Sequence, residues 1–270
     1  MGMNKNLTII ILSSLILLST QNAFAFVVDF CGDNLKWSCI NDTLMISGNG
    51  DMYNYDSYTK EYNGMTNEAP WSEIRSKIKY IVIEEGVVSI GDYAFFGCSS
   101  LEYIEIPNTV RRIGKNAFYK CKNLVNIIIP NSVVTICEYA FAQCEKLENI
   151  VLSNKLRSID DNMFFFCSNL KSIQIPNSVK NIGKFAFAYT PITTIIIPNS
   201  VTSIGSSAFC AGKLIKIIIP PLVNTLGEHP FYRCDELREI YYPQGLSFNK
   251  DEYPRYVKII AYDKKNPPKQ

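Results

Sequence analysis

One histidine, His229, and two tryptophans are all that the 270 residues contain of either type. A single histidine leaves little for general-base chemistry or for a zinc site, and no Cys-x-x-Cys pair supplies thiolate ligands in its place. There is no Gly-x-Ser-x-Gly, no His-Glu-x-x-His and no phosphate-binding glycine loop. Asp51, Asp56, Glu61 and Glu68 offer carboxylates, but they lie in a polar stretch of the kind that is usually solvated. The chain therefore reads as non-enzymatic, with no cofactor and no metal site. A charge excess is missing as well. Twenty-seven Lys and Arg against 25 Asp and Glu leave a formal charge of +2, which argues against nucleic acid or an anionic membrane as partner. After the N-terminus, no apolar run is long enough to span a bilayer.

The exception is the start of the chain. Lys5 precedes an apolar run, Leu7 to Leu18, broken only by Thr8, Ser13 and Ser14, and Ala23-Phe24-Ala25 follows as an A-x-A cleavage site. Residues 1–25 are read as a cleaved secretory signal peptide, with an uncleaved anchor as the competing reading. The mature chain then begins near Phe26, and the localisation expected is secreted or cell-surface. The polar tail, Asp263 to Gln270, lacks the hydrophobic end of a lipid-anchor signal.

What is abundant is repetition. Ala94-Phe95, Ala117-Phe118, Ala140-Phe141, Met163-Phe164, Ala186-Phe187, Ala208-Phe209 and Pro230-Phe231 recur at steps of 23, 23, 23, 23, 22 and 22 residues. Pro107, Pro130, Pro176, Pro198, Pro220 and Pro243 keep the same beat, with Ser153 in the vacant slot. A fixed period in this range means a solenoid. The template is L-x-x-I-x-I-P-x-x-V-x-x-I-G-x-x-A-F-x-x-C. In each coil I-x-I is a short strand with both isoleucines inward, proline ends it, and V-x-x-I carries the chain back across the core. Glycines 91, 114, 183, 205 and 227 are expected to allow a tight bend, with positive φ as one reason, and A-F-x-x-C to make one helical or 3₁₀ turn. Cys137 and Asp160 replace the glycine, and Tyr189 to Ile192 lacks one residue. The divisions expected are a small N-terminal β cap over 26–77, a solenoid of about seven or eight coils over 78–245, and a closing strand with a polar tail over 246–270.

Nine cysteines in an exported chain invite a disulfide reading. Cys98, Cys121, Cys144, Cys167 and Cys234 each follow the repeat Phe by three residues, however, and a residue type fixed to one repeat slot is a packing element. A buried thiol column is expected, although stacked coils bring such thiols close enough for an occasional bridge. Cys31 and Cys39, outside the repeats, are the disulfide candidates. Asn41-Asp42-Thr43 is an N-glycosylation sequon with Asn41 as acceptor, usable in a eukaryotic host.

The consensus I-P-x-S-V-x-x-I-G-x-x-A-F-x-x-C resembles that of the BspA-like, or Treponema pallidum-type, leucine-rich repeat family. The head, CGDNLKW…TLMISGNGDMYNY…APW, is similar to the segment that often precedes such repeats in exported members. The resemblance covers about residues 30 to 245. It implies a leucine-rich repeat solenoid of β-rich α/β coils and a surface or secreted adhesin-like or antigen-like protein, and it supplies no catalytic residues.

The middle residue of each I-x-I should point outward. That column reads Val82, Glu105, Ile128, Val151, Gln174, Ile196, Ile218, Tyr241, bordered by Tyr80, Tyr103, Asn126, Asn149, Ser172, Thr194, Lys216 and Glu239. An apolar stripe with a mostly polar border is the pattern of a protein-binding surface, although β-branched residues also favour strands for their own sake. Tyr80, Val82, Tyr103, Ile128, Val151, Ile196, Ile218 and Tyr241 are the expected partner-binding face, and an extracellular or cell-surface protein the expected partner. Two alternatives stand beside it. The same stripe suits self-association in a structural surface protein, and the cluster Tyr53, Tyr55, Tyr58 and Tyr62 suits carbohydrate, or else covers the first coil.

Overall fold

A computed structural model describes residues 25–56 and 68–269 of the chain; the expected signal peptide, apart from Ala25, and both Tyr58 and Tyr62 lie outside them. The described residues form a β-solenoid. One face carries the I-x-I strands β5 (Tyr80–Ile83), β7 (Tyr103–Glu105), β9 (Asn126–Ile128), β11 (Asn149–Val151), β15 (Lys216–Ile218), β17 (Glu239–Pro243) and β18 (Lys258–Tyr262). The return face carries β4 (Gly50–Asp51), β6 (Val87–Ile90), β8 (Arg112–Ile113), β10 (Thr135–Ile136), β12 (Ser158–Ile159), β13 (Asn181–Ile182), β14 (Ser203–Ile204) and β16 (Thr225–Leu226). Corresponding residues of successive coils stand opposite each other in parallel register, as in Asn149↔Asn126 and Ile182↔Ile204. The apolar repeat slots are buried almost throughout, which is what stacked coils must achieve because none can cover its own apolar side.

The head supplies the first sheet. β1 (Ala25–Gly32), β2 (Leu35–Ile40) and β3 (Thr43–Gly48) form an antiparallel meander, and β3 pairs in parallel with β5. The head thus satisfies the main chain of the first coil, which would otherwise present an open edge.

A column of rings runs through the core. Phe95, Phe118, Phe141, Phe164, Phe187, Phe209 and Phe231 follow one another with centroids 5.2–5.9 Å apart. Trp71 opens the column against Phe95 at 5.8 Å, and Tyr253 closes it against Phe231 at 6.5 Å. Tyr253 stands 22 residues after Phe231, so the beat continues into the segment expected to be only a closing strand, where β18 pairs in parallel with β17.

Two expectations about the corner are overturned. The A-F segment contains no helical turn. Its N–H groups alternate instead: those of Tyr93, Phe95 and Gly97 donate to Lys115, Ala117 and Tyr119 of the next coil, each at 2.8 Å, while those of Ala94, Phe96 and Cys98 reach back three residues. A helix cannot form where every second N–H leaves for the neighbouring coil. Nor is positive φ found at glycines 91, 114, 183, 205 and 227. It falls on two other slots, one holding Tyr93, Asn116, Tyr139, Asn162, Phe185, Ser207 and His229, the other Gly97, Lys120, Gln143, Phe166, Tyr189, Ala211 and Arg233. Where glycine does occupy the expected slot the constraint is clearance, whereas the coils with Cys137 and Asp160 there accommodate a side chain. A Cβ on Gly183 would lie 2.5 Å from Asp161 Oδ1 and 2.6 Å from the Asp161 backbone nitrogen.

All nine cysteines are free thiols. The repeat thiols are buried and donate along the stack, Cys121 Sγ to Phe95 O at 3.3 Å, Cys144 to Phe118 O and Cys167 to Phe141 O at 3.2 Å, and Cys234 to Phe209 O at 3.0 Å. Cys31 and Cys39 are not paired. The β1–β2 register sets Phe30 opposite Lys36 and Gly32 opposite Leu35, so Cys39 lies about three rungs, roughly 10 Å, along from Cys31, beyond disulfide reach. Asn41 is exposed at the tip of the β2–β3 hairpin in the left-handed conformation, with φ 57°.

Candidate functional site

The strand period fixes which side chains leave the core. In β9 and β11 the flanking residues Asn126, Ile128, Asn149 and Val151 are exposed while Ile127 and Ile150 are buried, as period-two alternation requires. Parallel register then places Ile128 beside Val151 and Asn126 beside Asn149, whose side-chain amide donates to Asn126 Oδ1 at 2.8 Å. Ile128 is 66% exposed, Val151 57% and Ile196 62%. Tyr103 is exposed too, and Tyr80, Val82 and Tyr241 are half-buried.

Ile218 does not belong with them. It is only 7% exposed, although the alternation pointed it outward. Its rung partner is Tyr241, whose ring lies under Lys216 Nζ at 4.9 Å and whose hydroxyl donates to Glu239 at 3.2 Å. Ile218 sits beside Tyr241 in register and lines a groove across coils five to seven. The apolar stripe is therefore centred on Ile128, Val151 and Ile196, and Glu105 and Gln174 interrupt it.

This face carries a second feature. A groove of about 550 Å³ opens across coils five to seven, lined by Ile173, Gln174, Thr194, Ile195, Ile196 and Lys216 among others. No strand forms over Ser172–Ile175 or Thr194–Ile196, and these residues make no main-chain hydrogen bonds with one another or with β11 and β15. Ile173 and Ile195 are only partly buried, whereas Ile127, Ile150 and Ile217 in the same slot are covered. The opening is confined to this face. The return strands β12, β13, β14 and β16 pair without a break, and Phe164 and Phe187 N–H still donate to Ala186 and Ala208 at 2.9 and 2.8 Å. Pairing also lapses between β7 and β9, but there Ile104 and Ile127 stay buried.

The tyrosine cluster does not form a platform from its described members. Tyr55 is buried, its ring edge-on to Trp71 at 5.8 Å and its hydroxyl on Cys31 O at 3.3 Å, while Tyr53 is exposed and bonded to Asp33 at 2.9 Å. A buried ring offers no stacking surface to a sugar, and Tyr55 covers the first coil instead. The corner side bears its own exposed rings, Phe166, Phe185 and Tyr189, with Phe166 and Tyr189 stacked at 5.1 Å. All three sit at left-handed positions, where an L side chain costs about 1–2 kcal/mol.

His229 is exposed with Nδ1 3.1 Å from Glu252, and among the described residues no three His, Cys, Asp or Glu side chains converge on a common point. Burial pushes the repeat thiols up, Cys98 and Cys167 to about 12 and Cys121 and Cys144 well above their ordinary value, which removes the thiolate a nucleophile needs. Among the described residues no helix is long and apolar enough to cross a membrane.

Comparison with known proteins matches this architecture. A leucine-rich cell surface protein from Faecalibacterium prausnitzii superposes with a TM-score of 0.54 at 22% identity, over 91% of this chain and 78% of that one. A leucine-rich repeat protein from Bacteroides ovatus gives 0.46 at 25% identity, over 86% and 78%, and the T. pallidum leucine-rich repeat protein 0.32 at 21%, over 82% and 74%. No curated protein matches the sequence. The model of the BspA-type leucine-rich repeat region matches six copies, over residues 74–189 and 138–253. With its 22- and 23-residue beat, its I-x-I strands and its A-F-x-x-C corners, the chain belongs to the BspA-type leucine-rich repeat family.

Proposed function

We propose that this protein is a non-enzymatic binding module, exported and displayed at the cell surface, that engages another protein through its sheet face. The observation that carries the reading is the exposure of Ile128, Val151 and Ile196 on one face of the stack. Large apolar side chains that stacking does not use, bordered by Asn126, Asn149, Ser172 and Thr194, have the composition of an interface core with a polar rim. Membership of a repeat family that is not an enzyme class, and the cell-surface description of the F. prausnitzii protein, support the same reading. An adhesin-like or antigen-like role is the form this function takes in an exported chain.

The test replaces Ile128, Val151 and Ile196 together by Lys. All three are solvent-facing, so the variant should melt like the parent, while capture of partners from a panel of purified extracellular-matrix and cell-surface proteins should fall to background. Capture unchanged in a folded variant would remove the sheet face as the binding surface. Sedimentation of the parent alone identifies self-association: a concentration-dependent dimer abolished by the same variant would make a second copy of this chain the partner.

A further inference from the structure

The opened ladder between β11 and β15 presents main-chain groups as well as apolar side chains. Ser172–Ile175 and Thr194–Ile196 run alongside each other with ladder donors and acceptors unused, in a groove wide enough to leave Ile173 and Ile195 half-covered. In the same slots of coils three, four and seven the strand is paired along one edge, β9 with β11 and β15 with β17. Unpaired peptide groups beside apolar walls are costly to leave dry.

The geometry points to an extended polypeptide segment as the occupant, taken up by main-chain pairing with Ser172–Ile175 and Thr194–Ile196. This rests on the reading of the sheet face as a protein-binding surface and names the kind of segment it takes. The chemistry is selective. The groove repeats its donors and acceptors every second residue and alternates apolar Ile173 and Ile175 with polar Gln174. Only another extended main chain offers a matching alternation, with side chains entering at every second position. Apolar residues at alternate positions would meet Ile173, Ile195 and Ile196, and a polar or acidic residue would meet Lys216 at the rim. Ile128 and Val151 lie just outside the groove, so a partner that inserts such a segment also covers the exposed stripe.

The experiment uses amide hydrogen exchange on the whole protein. In the free protein the amides of Ser172–Ile175 and Thr194–Ile196 should exchange fast, and those of Ile129 and Asn149, bonded to Val151 O and Val125 O, slowly. The probe is an acetylated heptapeptide of alternating valine and threonine. Its control is the same peptide with alternate backbone nitrogens methylated, which keeps the side chains and removes donors. The plain peptide should slow exchange in the two segments, and the methylated one should bind at least about tenfold more weakly, the effect of losing one or two net hydrogen bonds. Slow exchange in the free protein, equal binding of the two peptides, or no protection by the plain peptide at its solubility limit would each overturn the pairing. Lysine at Ile128 and Val151, outside the groove, separates this from the broader reading. If peptide protection fails in the parent while protein partners still bind and are lost in that variant, the face binds protein without strand pairing.

Discussion

Phe141→Ala tests whether the ring column bears the stability of the stack. The ring is fully buried, with Phe118 parallel within 2° at 5.2 Å on one side and Phe164 within 9° at 5.9 Å on the other. Truncating a buried Phe to Ala costs about 3–5 kcal/mol, according to how far the site collapses. Collapse is restricted here. Phe141 N–H donates to Met163 O at 3.1 Å and its carbonyl accepts from Cys144 N–H and the Cys167 thiol, while Ala140 O accepts from Phe118 N–H at 2.8 Å, so the main chain is held in both directions along the stack. Two aromatic contacts, each worth about 0.5–1.5 kcal/mol, are lost with the ring, which places the expected cost at the upper end of that range. Phe231 has one stacked neighbour at 5.8 Å and a tilted one, Tyr253, at 6.5 Å, so Phe231→Ala should cost less.

The measurement is urea unfolding followed by circular dichroism and by tyrosine fluorescence, because a solenoid can unfold in parts and the two probes must agree before a free energy is assigned. Each kcal/mol lowers the midpoint of a thermal scan by about 2–4 °C at this chain length, so Phe141→Ala should melt roughly 6–20 °C below the parent. A cost under about 1 kcal/mol, or a larger cost at Phe231 than at Phe141, would refute the column as the main support.

Further outcomes follow from the same packing. A thiol reagent at pH 8 should modify Cys137, the one half-buried cysteine, well before the others, and reach all nine only after denaturation; rapid loss of Cys144 or Cys167 in the native protein would contradict their burial. Asp160 has its carboxyl raised above 3.8 by burial, against the hydroxyl of Ser158, which lowers it. The folded state then holds that proton more tightly than the unfolded one, so this group's stabilising effect is present at low pH and lost as pH rises above 3.8. Asp160→Asn should therefore stabilise at pH 7, the gain shrinking towards pH 4; a gain that grew on acidification would reverse the assignment. Gly183→Ala should cost about 1–3 kcal/mol in urea titrations because its Cβ meets backbone of the previous coil, and a neutral result would show that the coils can separate. Replacing Thr190-Pro191 by Cys-Lys-Asn, the corner found at residues 121–123, should slow amide exchange over Thr194–Ile196, and unchanged exchange would place the cause of the opening in coil five.

The sequence was a reliable guide to the core because one slot has one environment in every coil. Ile127, Val133, Ile136, Phe141 and Cys144 are buried as the period requires. It was a poor guide to the backbone of the corner. A repeated glycine has two physical reasons, free φ or missing Cβ, and composition does not separate them; here the reason is clearance, and positive φ falls on Tyr93 and its equivalents. Trp71 and Tyr253 were legible in spacing, 24 residues before Phe95 and 22 after Phe231, but the change of ring type hid them among cap and tail. Ile218 shows the limit of alternation, which sets direction and says nothing of a tyrosine fixed in the next rung.

The groove is the case where a departure from the repeat carries the information. Two corners are one residue short, Phe187 to Ile192 and Phe209 to Leu214, against six steps from Phe164 to Leu170. The second leaves β15 paired with β17, so shortening alone does not open the sheet. The first also contains Pro191, which has no N–H and a fixed φ, and so differs from the second in its backbone. The return ladder and the Phe column do not pass through that corner, so they stay continuous. A solenoid can in this way change one face of one coil without losing the stack, because each coil is held to its neighbours along several separate lines. On the proposed reading, binding specificity lies in the residues that break the consensus, and the consensus itself carries only the support on which they stand.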